Sequence, residues 1–210
     1  MAVENFTTYT EVDPNSHLTV TSTKVTFTNI SRNEDCYLYS DKGTGHFDGN
    51  FEHLLTINTT AESNYSTNSY WGLFNSIDDA NNAGDGLYLI VRYNSGLGEP
   101  RALRIYEKES STAYYTSAFE YSLSTDYYLK IKRDESVGTY GTLYCYIYSD
   151  SDRTTLVSTL TLTLHSKQDL RYVYAAQSQY DGSSMARSGY IENLDLQEPV
   201  TDTSNFLLFF

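Results

Sequence analysis

The sequence predicts an all-β chain folded as two packed antiparallel sheets, on three observations. Apolar and polar residues alternate with period two along almost its whole length. No window keeps the i, i+3, i+4, i+7 spacing over three turns that a core-facing helix needs. Turn-forming clusters break the alternation, as in Asp41-Lys42-Gly43-Thr44-Gly45, Asp48-Gly49-Asn50 and Asp181-Gly182-Ser183-Ser184, all of which tolerate positive φ.

Taken in order, alternation predicts strands over Leu18 to Thr21, Lys24 to Asn29, Cys36 to Ser40 and a longer one over Phe51 to Thr59. Ser69 to Phe74 follows, then a polar excursion from Ile77 to Asp85 whose acid and amide content favours a loop over a helix. Gly86 to Tyr93 and Ala102 to Glu107 flank the turn at Asn94-Ser95-Gly96-Leu97-Gly98, and Tyr114 to Tyr121 comes next. Tyr127 to Arg133, Thr142 to Tyr148, Leu156 to Leu164, Arg171 to Gln177 and Gly189 to Leu196 complete the series. So many strands bury poorly in one sheet, and they exceed the seven to nine of an immunoglobulin domain, so a larger jelly roll fits. One domain is expected over residues 1–198. The apolar extension over 199–210, ending Phe206-Leu207-Leu208-Phe209-Phe210, is expected to dock on that domain or on a partner.

The 210 residues carry 14 Lys+Arg against 27 Asp+Glu, a formal charge of −13 that opposes docking to nucleic acid or anionic lipid. The opening MAVENFTTYT holds neither a basic nor an apolar run, so no secretion signal and no membrane insertion is expected. Cys36 and Cys145 stand among apolar and aromatic neighbours and read as two buried thiols.

Three segments carry a family resemblance: Tyr127-Tyr128-Leu129-Lys130-Ile131-Lys132-Arg133-Asp134, then Thr142-Leu143-Tyr144-Cys145-Tyr146-Ile147-Tyr148, and the late Gly189-Tyr190-Ile191-Glu192-Asn193-Leu194-Asp195-Leu196. Together with the strand order they resemble the concanavalin A-like lectin and glucanase group, in particular its laminin-G-like members. The resemblance implies a jelly-roll β-sandwich of two antiparallel sheets.

Twenty-one tyrosines are the main anomaly of composition. Tyr144, Tyr146 and Tyr148 share one side of a strand whose other side holds Leu143, Cys145 and Ile147. Tyr172 with Tyr174, and Tyr37 with Tyr39, repeat the arrangement. Such rows serve either cross-strand packing or stacking on the apolar faces of sugar rings. Tyr70 and Trp71 are adjacent, so alternation turns only one inward and does not choose which. Arg92, Arg104, Gln177 and Gln179 sit near these aromatics and offer planar hydrogen-bonding partners for hydroxyl pairs, although basic residues also protect sheet edges. Tyr70, Trp71, Arg92, Arg104, Tyr144, Tyr146, Tyr172 and Tyr174 form the candidate glycan-binding set.

Catalytic signals are weak. Glu11-Val12-Asp13 places two acids on one side, but Pro14 interrupts the segment and Ser16 stands where related glucanases carry a third acid, so the pair reads as a solvated turn. His17, His46, His53 and His165 are scattered, without zinc-site spacing, and read as surface or half-buried residues. Calcium is the one cofactor kept open. Asp78, Asp79, Asn81, Asn82 and Asp85 form the densest oxygen cluster, with Asp78, Asp79 and Asp85 as its calcium candidates and Asp13 with Asp195 as an alternative pair. The reading is a non-catalytic, lectin-like module partnered by a glycan or glycoprotein, at an extracellular or virion surface if so. Its rival is a structural module of a viral particle or surface assembly, with homo-oligomer contacts; a glycoside hydrolase stands third.

Overall fold

The computed structural model describes residues 3–97 and 99–197, so the extension expected to dock lies outside the described residues. Among the described residues fifteen strands, numbered in chain order, form two antiparallel sheets. In spatial order, sheet A holds β1 (Thr10–Val12), β4 (Tyr37–Asp41), β14 (Tyr172–Ser178), β6 (Thr67–Phe74), β7 (Gly86–Asn94), β8 (Glu99–Glu109) and β10 (Phe119–Glu120). β9 (Thr112–Tyr115) also pairs with β8. Sheet B holds β13 (Leu156–Thr163), β12 (Thr142–Tyr148), β11 (Tyr127–Asp134), β5 (Phe51–Glu62), β15 (Ser183–Asp195), β3 (Lys24–Arg32) and β2 (Leu18–Val20). The result is the two-layer jelly-roll sandwich the alternation predicts. Among the described residues no helix is long and apolar enough to cross a membrane.

The core lies between the sheets and follows the period of two. Leu129 and Ile131 on β11, and Leu143, Cys145 and Ile147 on β12, face inward and are fully buried. Leu87, Leu89 and Val91 on β7, with Leu103 and Ile105 on β8, close the layer from sheet A. Both cysteines are free and buried, and burial raises their thiols well above the ordinary range.

Four expectations are corrected. First, Thr10–Val12 pairs with β4 and is a strand, because Pro14 falls beyond the last paired residue. Second, the stretch from Tyr114 to Tyr121 is two strands; Thr116 lends its hydroxyl to the Ile105 N–H at 3.4 Å and breaks the ladder there. Third, Tyr70 and Trp71 both point inward and both are wholly buried. A bulge between Ser69 and Trp71 removes the alternation that would have opposed them. Each then reaches a polar partner on β5 of the opposite sheet: the Trp71 indole N–H donates to His53 Nδ1 at 3.1 Å, and the Tyr70 hydroxyl bonds the Thr59 hydroxyl at 2.7 Å. Fourth, His53 is therefore a core residue, packed between Phe47, Phe51 and Trp71.

Strand β14, beside β6, carries its own bulge between Tyr174 and Ala176. The two irregularities match, so that Tyr174 still pairs with Gly72 and Gln177 with Ser69. Where β6 turns two large rings inward, β14 turns in Ala175 and Ala176.

At one end of the sandwich the fully buried Arg187 pairs with Glu62 at 2.8 Å. Glu62 also accepts from Arg101 Nε at 2.8 Å and from the Tyr121 hydroxyl. Arg187 further donates to the Ser66 carbonyl and hydroxyl. Glu62→Gln leaves a buried guanidinium without its counter-charge and is expected to cost about 3–5 kcal/mol. Arg187→Met leaves Glu62 with Arg101 and should cost less; urea denaturation of both variants measures the difference. A second test concerns pH. Burial lowers the His53 pKa to about 3, with His46 and Lys42 adding to the effect. The unfolded chain takes up this proton below pH 6.5 and the folded chain does not, so stability falls as pH drops from about 6.5 to 3. The expected slope is roughly 1.4 kcal/mol per pH unit. Urea midpoints across that window should fall less steeply for His53→Gln than for the native chain.

Candidate functional site

The outer face of sheet A carries an aromatic row set by strand register. Tyr39, Tyr174, Gly72, Tyr88, Tyr106 and Tyr115 are successive cross-strand partners on β4, β14, β6, β7, β8 and β9. The gap at Gly72 is filled by the Phe74 ring from the same strand. A Cβ on Gly72 would lie 2.6 Å from that ring, so glycine is what lets it fold over. Ring centroids then run Tyr39 to Tyr174 at 5.7 Å, to Phe74 at 5.5 Å, to Tyr88 at 5.3 Å, to Tyr106 at 5.2 Å and to Tyr115 at 5.0 Å. These separations are those of favourable edge-on, tilted and offset-stacked aromatic pairs.

The loop between β6 and β7, the polar excursion from Ile77 to Asp85, folds back over the middle of this row as a lid. Its Ala83 is buried with Phe74, Tyr88, Ile90 and Tyr174 in one cluster. The Tyr174 hydroxyl donates to the Ser76 carbonyl and accepts from the Asp78 N–H, both at 3.3 Å. Lys108 Nζ donates to the carbonyls of Asn81 and Ala83, at 2.7 and 2.5 Å, and Gln177 Nε2 to that of Asp78 at 2.8 Å. Tyr174 and Phe74 are consequently shut off from solvent, whereas Tyr106 is half-buried and Tyr115 is 56% exposed. On the far side of the lid, Tyr37, Tyr39 and Tyr172 remain half-buried.

Two adjoining cavities open on the Tyr106 side. One, of about 350 Å³, lies between the lid residues Ala80 and Asn81 and the sheet residues Tyr88, Tyr106 and Lys108. The other, of about 110 Å³, is lined by Arg32, Thr67, Ile90, Arg92, Tyr106 and Gln179. Tyr106 and Gln179 belong to both, so the pair forms one groove. A larger cavity of about 720 Å³ beside Phe47, Phe51 and Arg133 lies elsewhere, and its rings Phe47 and His53 are turned into the core.

The candidate set from sequence is divided by the fold. Arg92 and Arg104 reach the outer face of sheet A, Arg92 at the small cavity and Arg104 with Nη1 on the Thr116 carbonyl at 2.8 Å. Tyr172 lies on the same face beyond the lid, and Tyr174 beneath it. Tyr70 and Trp71, turned inward by the β6 bulge, are core residues and have no surface to offer a ligand. Tyr144 and Tyr146 stack at 5.9 Å on the outer face of sheet B, with Lys130 over Tyr146. They are on the opposite side of the sandwich from Tyr172 and Tyr174, so one shared aromatic face is not what forms. Tyr88, Tyr115, Arg32 and Lys108 join the site unforeseen. Period-two phase marks Tyr88, Tyr106 and Lys108 as outward, but only the β7–β8–β9 register aligns them.

The carboxylates sort similarly. Asp78 and Asp79 of the lid come together with Asp35, their nearest oxygens within 4.8 Å of one another. Asp85 instead accepts the Ser110 N–H. Asp79 is buried and accepts from the N–H groups of Asn81 and Tyr180 and from Asn82 Nδ2; burial raises its pKa against those bonds. Asp13 accepts the N–H groups of His17 and Leu18, while Asp195 caps Gln197. Neither joins a three-donor group among the described residues.

No protein-family profile matches the chain, and no curated protein sequence does. Solved structures do. A functionally unknown protein from Saccharomyces cerevisiae superposes over 93% of this chain and 99% of its own, with a TM-score of 0.60 and 14% identity. A legume lectin-like domain from Entamoeba histolytica matches over 88% of both chains, with a TM-score of 0.53 and 13% identity. An alginate lyase from Alteromonas sp. 272 covers 89% of this chain and 92% of its own, with a TM-score of 0.51 and 8% identity. At these identities the likeness is one of fold: the chain is a jelly-roll β-sandwich of two antiparallel sheets.

Proposed function

We propose that the chain is a non-catalytic glycan-binding module whose ligand lies in the groove beside the lid. The observation that carries this reading is the aromatic row ending in half-buried Tyr106 and exposed Tyr115, with two cavities rich in hydrogen-bonding groups against the same rings. Sugar rings present apolar faces to aromatic side chains and hydroxyl pairs to planar polar groups, and the groove supplies both kinds of contact. The lectin-like fold neighbour supports the reading at the level of architecture. Within the concanavalin A-like group, the β11–β12 pattern is the ground for placing the chain beside the laminin-G-like members. Asp35, Asp78 and Asp79 would offer oxygen donors to a calcium ion at the lid margin, where it would tie the lid to the β3–β4 turn.

A second reading, an assembly module, rests on the other surface. The stacked Tyr144 and Tyr146, with Leu156 and Val157 exposed on edge strand β13, form an apolar margin suited to another chain.

A broad glycan array on the intact protein, with and without calcium, tests the first reading. Saturable binding to a defined glycan class is expected. Tyr106→Ala and Tyr115→Ala should each weaken it by roughly 1 kcal/mol, about fivefold, while Tyr146→Ala on the opposite sheet leaves it unchanged. Absence of saturable binding in both conditions rejects the glycan reading. A Tyr146 effect without a Tyr106 effect would move the site to sheet B.

A further inference from the structure

The two cavities beside Tyr106 differ in chemistry. The one against the lid is walled by the Tyr88 and Tyr106 rings, whereas the smaller one gathers charge. In a chain with 14 basic and 27 acidic residues, two guanidiniums, Arg32 and Arg92, line a space of only about 110 Å³. They arrive from different sheets: Arg92 stands on β7 of sheet A, and Arg32 is the last residue of β3 in sheet B. Arg92 hydrogen-bonds the Tyr106 hydroxyl, and the charge of Arg104 on β8 acts on it as well.

Arg32 spends its Nη1 on the Tyr65 carbonyl and its Nη2 on Asp181, but its Nε is buried without a hydrogen-bond partner. Arg92 has no ion pair among the described residues. Burial holds the Arg32 guanidinium below its ordinary pKa; Asp181 acts in the opposite sense, and the Arg92 charge adds to the lowering. Asp181 already balances Arg32, but Arg92 faces the same small cavity without a counter-charge among the described residues, and an entering anion supplies one where a neutral hydroxyl does not. Guanidinium forks suit planar or tetrahedral oxyanions, and the Thr67 hydroxyl and Gln179 amide offer further donors.

We propose that the cavity between Arg32 and Arg92 takes the carboxylate or sulfate group of an acidic glycan, whose sugar ring rests in the neighbouring cavity against Tyr106. This rests on the proposed glycan-binding function and narrows it to acidic sugars. The formal charge of −13 does not oppose it at contact range, because salt screens distant charges beyond about 8–10 Å while the cavity acts within a few ångströms. Only a ligand that places its anionic group in this cavity would overcome the acidic surface elsewhere.

Isothermal titration of the full chain tests this with two matched pairs of probes. One is an oligogalacturonate and its carboxyl-reduced form; the other is a sulfated galactan oligosaccharide and its desulfated form. At least one anionic probe is expected to bind tenfold or more tightly than its neutral counterpart, and which pair shows the preference separates uronate from sulfate. Arg92→Ala and Arg92→Gln should each abolish the preference, with Arg92→Lys retaining part of it; unchanged melting temperatures establish that the variants fold. Equal affinity within both pairs overturns the acid preference and leaves the glycan reading standing. The acid preference is likewise overturned if no acidic probe binds while the array shows a neutral ligand. If neither probes nor array show binding, both readings fall.

Discussion

The matched bulges in β6 and β14 are the constraint on which the rest of this structure depends. Without the extra residue in β6, either Tyr70 or Trp71 would face solvent, and the two cross-sheet hydrogen bonds to Thr59 and His53 would not both form. The bulge also resets the phase of the rest of the strand, so that Gly72 and Phe74 face outward in line with Tyr88. Had only one of the two neighbouring strands been bulged, Tyr174 would have lost its pairing with Gly72 and the outer row would have been broken at its centre. The matched pair of irregularities thus builds the inner aromatic contact and the outer aromatic row together.

Charge follows the same economy of place. The chain is strongly acidic, yet its basic residues are concentrated where the backbone needs them: Arg187 inside the end network with Glu62, Arg171 as a two-pronged partner of Asp41, and Lys108 across the lid carbonyls. Glu107, wholly buried, is satisfied by the backbone N–H groups of His165 and Ser166 and by the His165 ring. Each charge in these groups has a counter-charge, a set of aligned donors or, for Lys108, a pair of carbonyl acceptors, as burial demands. Arg92 differs from these in facing a cavity without an ion pair among the described residues, beside an Arg32 whose Nε is buried and unpartnered.

Much of the fold was legible in the sequence because a half-buried strand must alternate. Leu143, Cys145 and Ile147 against Tyr144, Tyr146 and Tyr148 is that rule in its plainest form, and the strand came out with the same bounds. Boundaries slipped where something other than alternation set them, as at Thr116 and before Pro14. The site was harder to read. Its rings come from six strands, and no local pattern states that Tyr39 and Tyr115 belong to one row; that emerges only from five successive pairings. His53 illustrates the opposite failure. A lone histidine in a strand reads as ordinary surface; burial between Phe47, Phe51 and Trp71 holds it neutral, and the indole N–H of Trp71 on the other sheet satisfies its Nδ1.

The β6–β7 loop has a further consequence. By lying across Phe74 and Tyr174 it cuts what would be a continuous strip of rings into two short landings, Tyr106 with Tyr115 on one bank and Tyr37, Tyr39 and Tyr172 on the other. A long polymer laid straight across the sheet would have to climb over the loop between them. The architecture therefore suits a molecule that touches down with an end or a short stretch, and the two banks are free to diverge in what they hold.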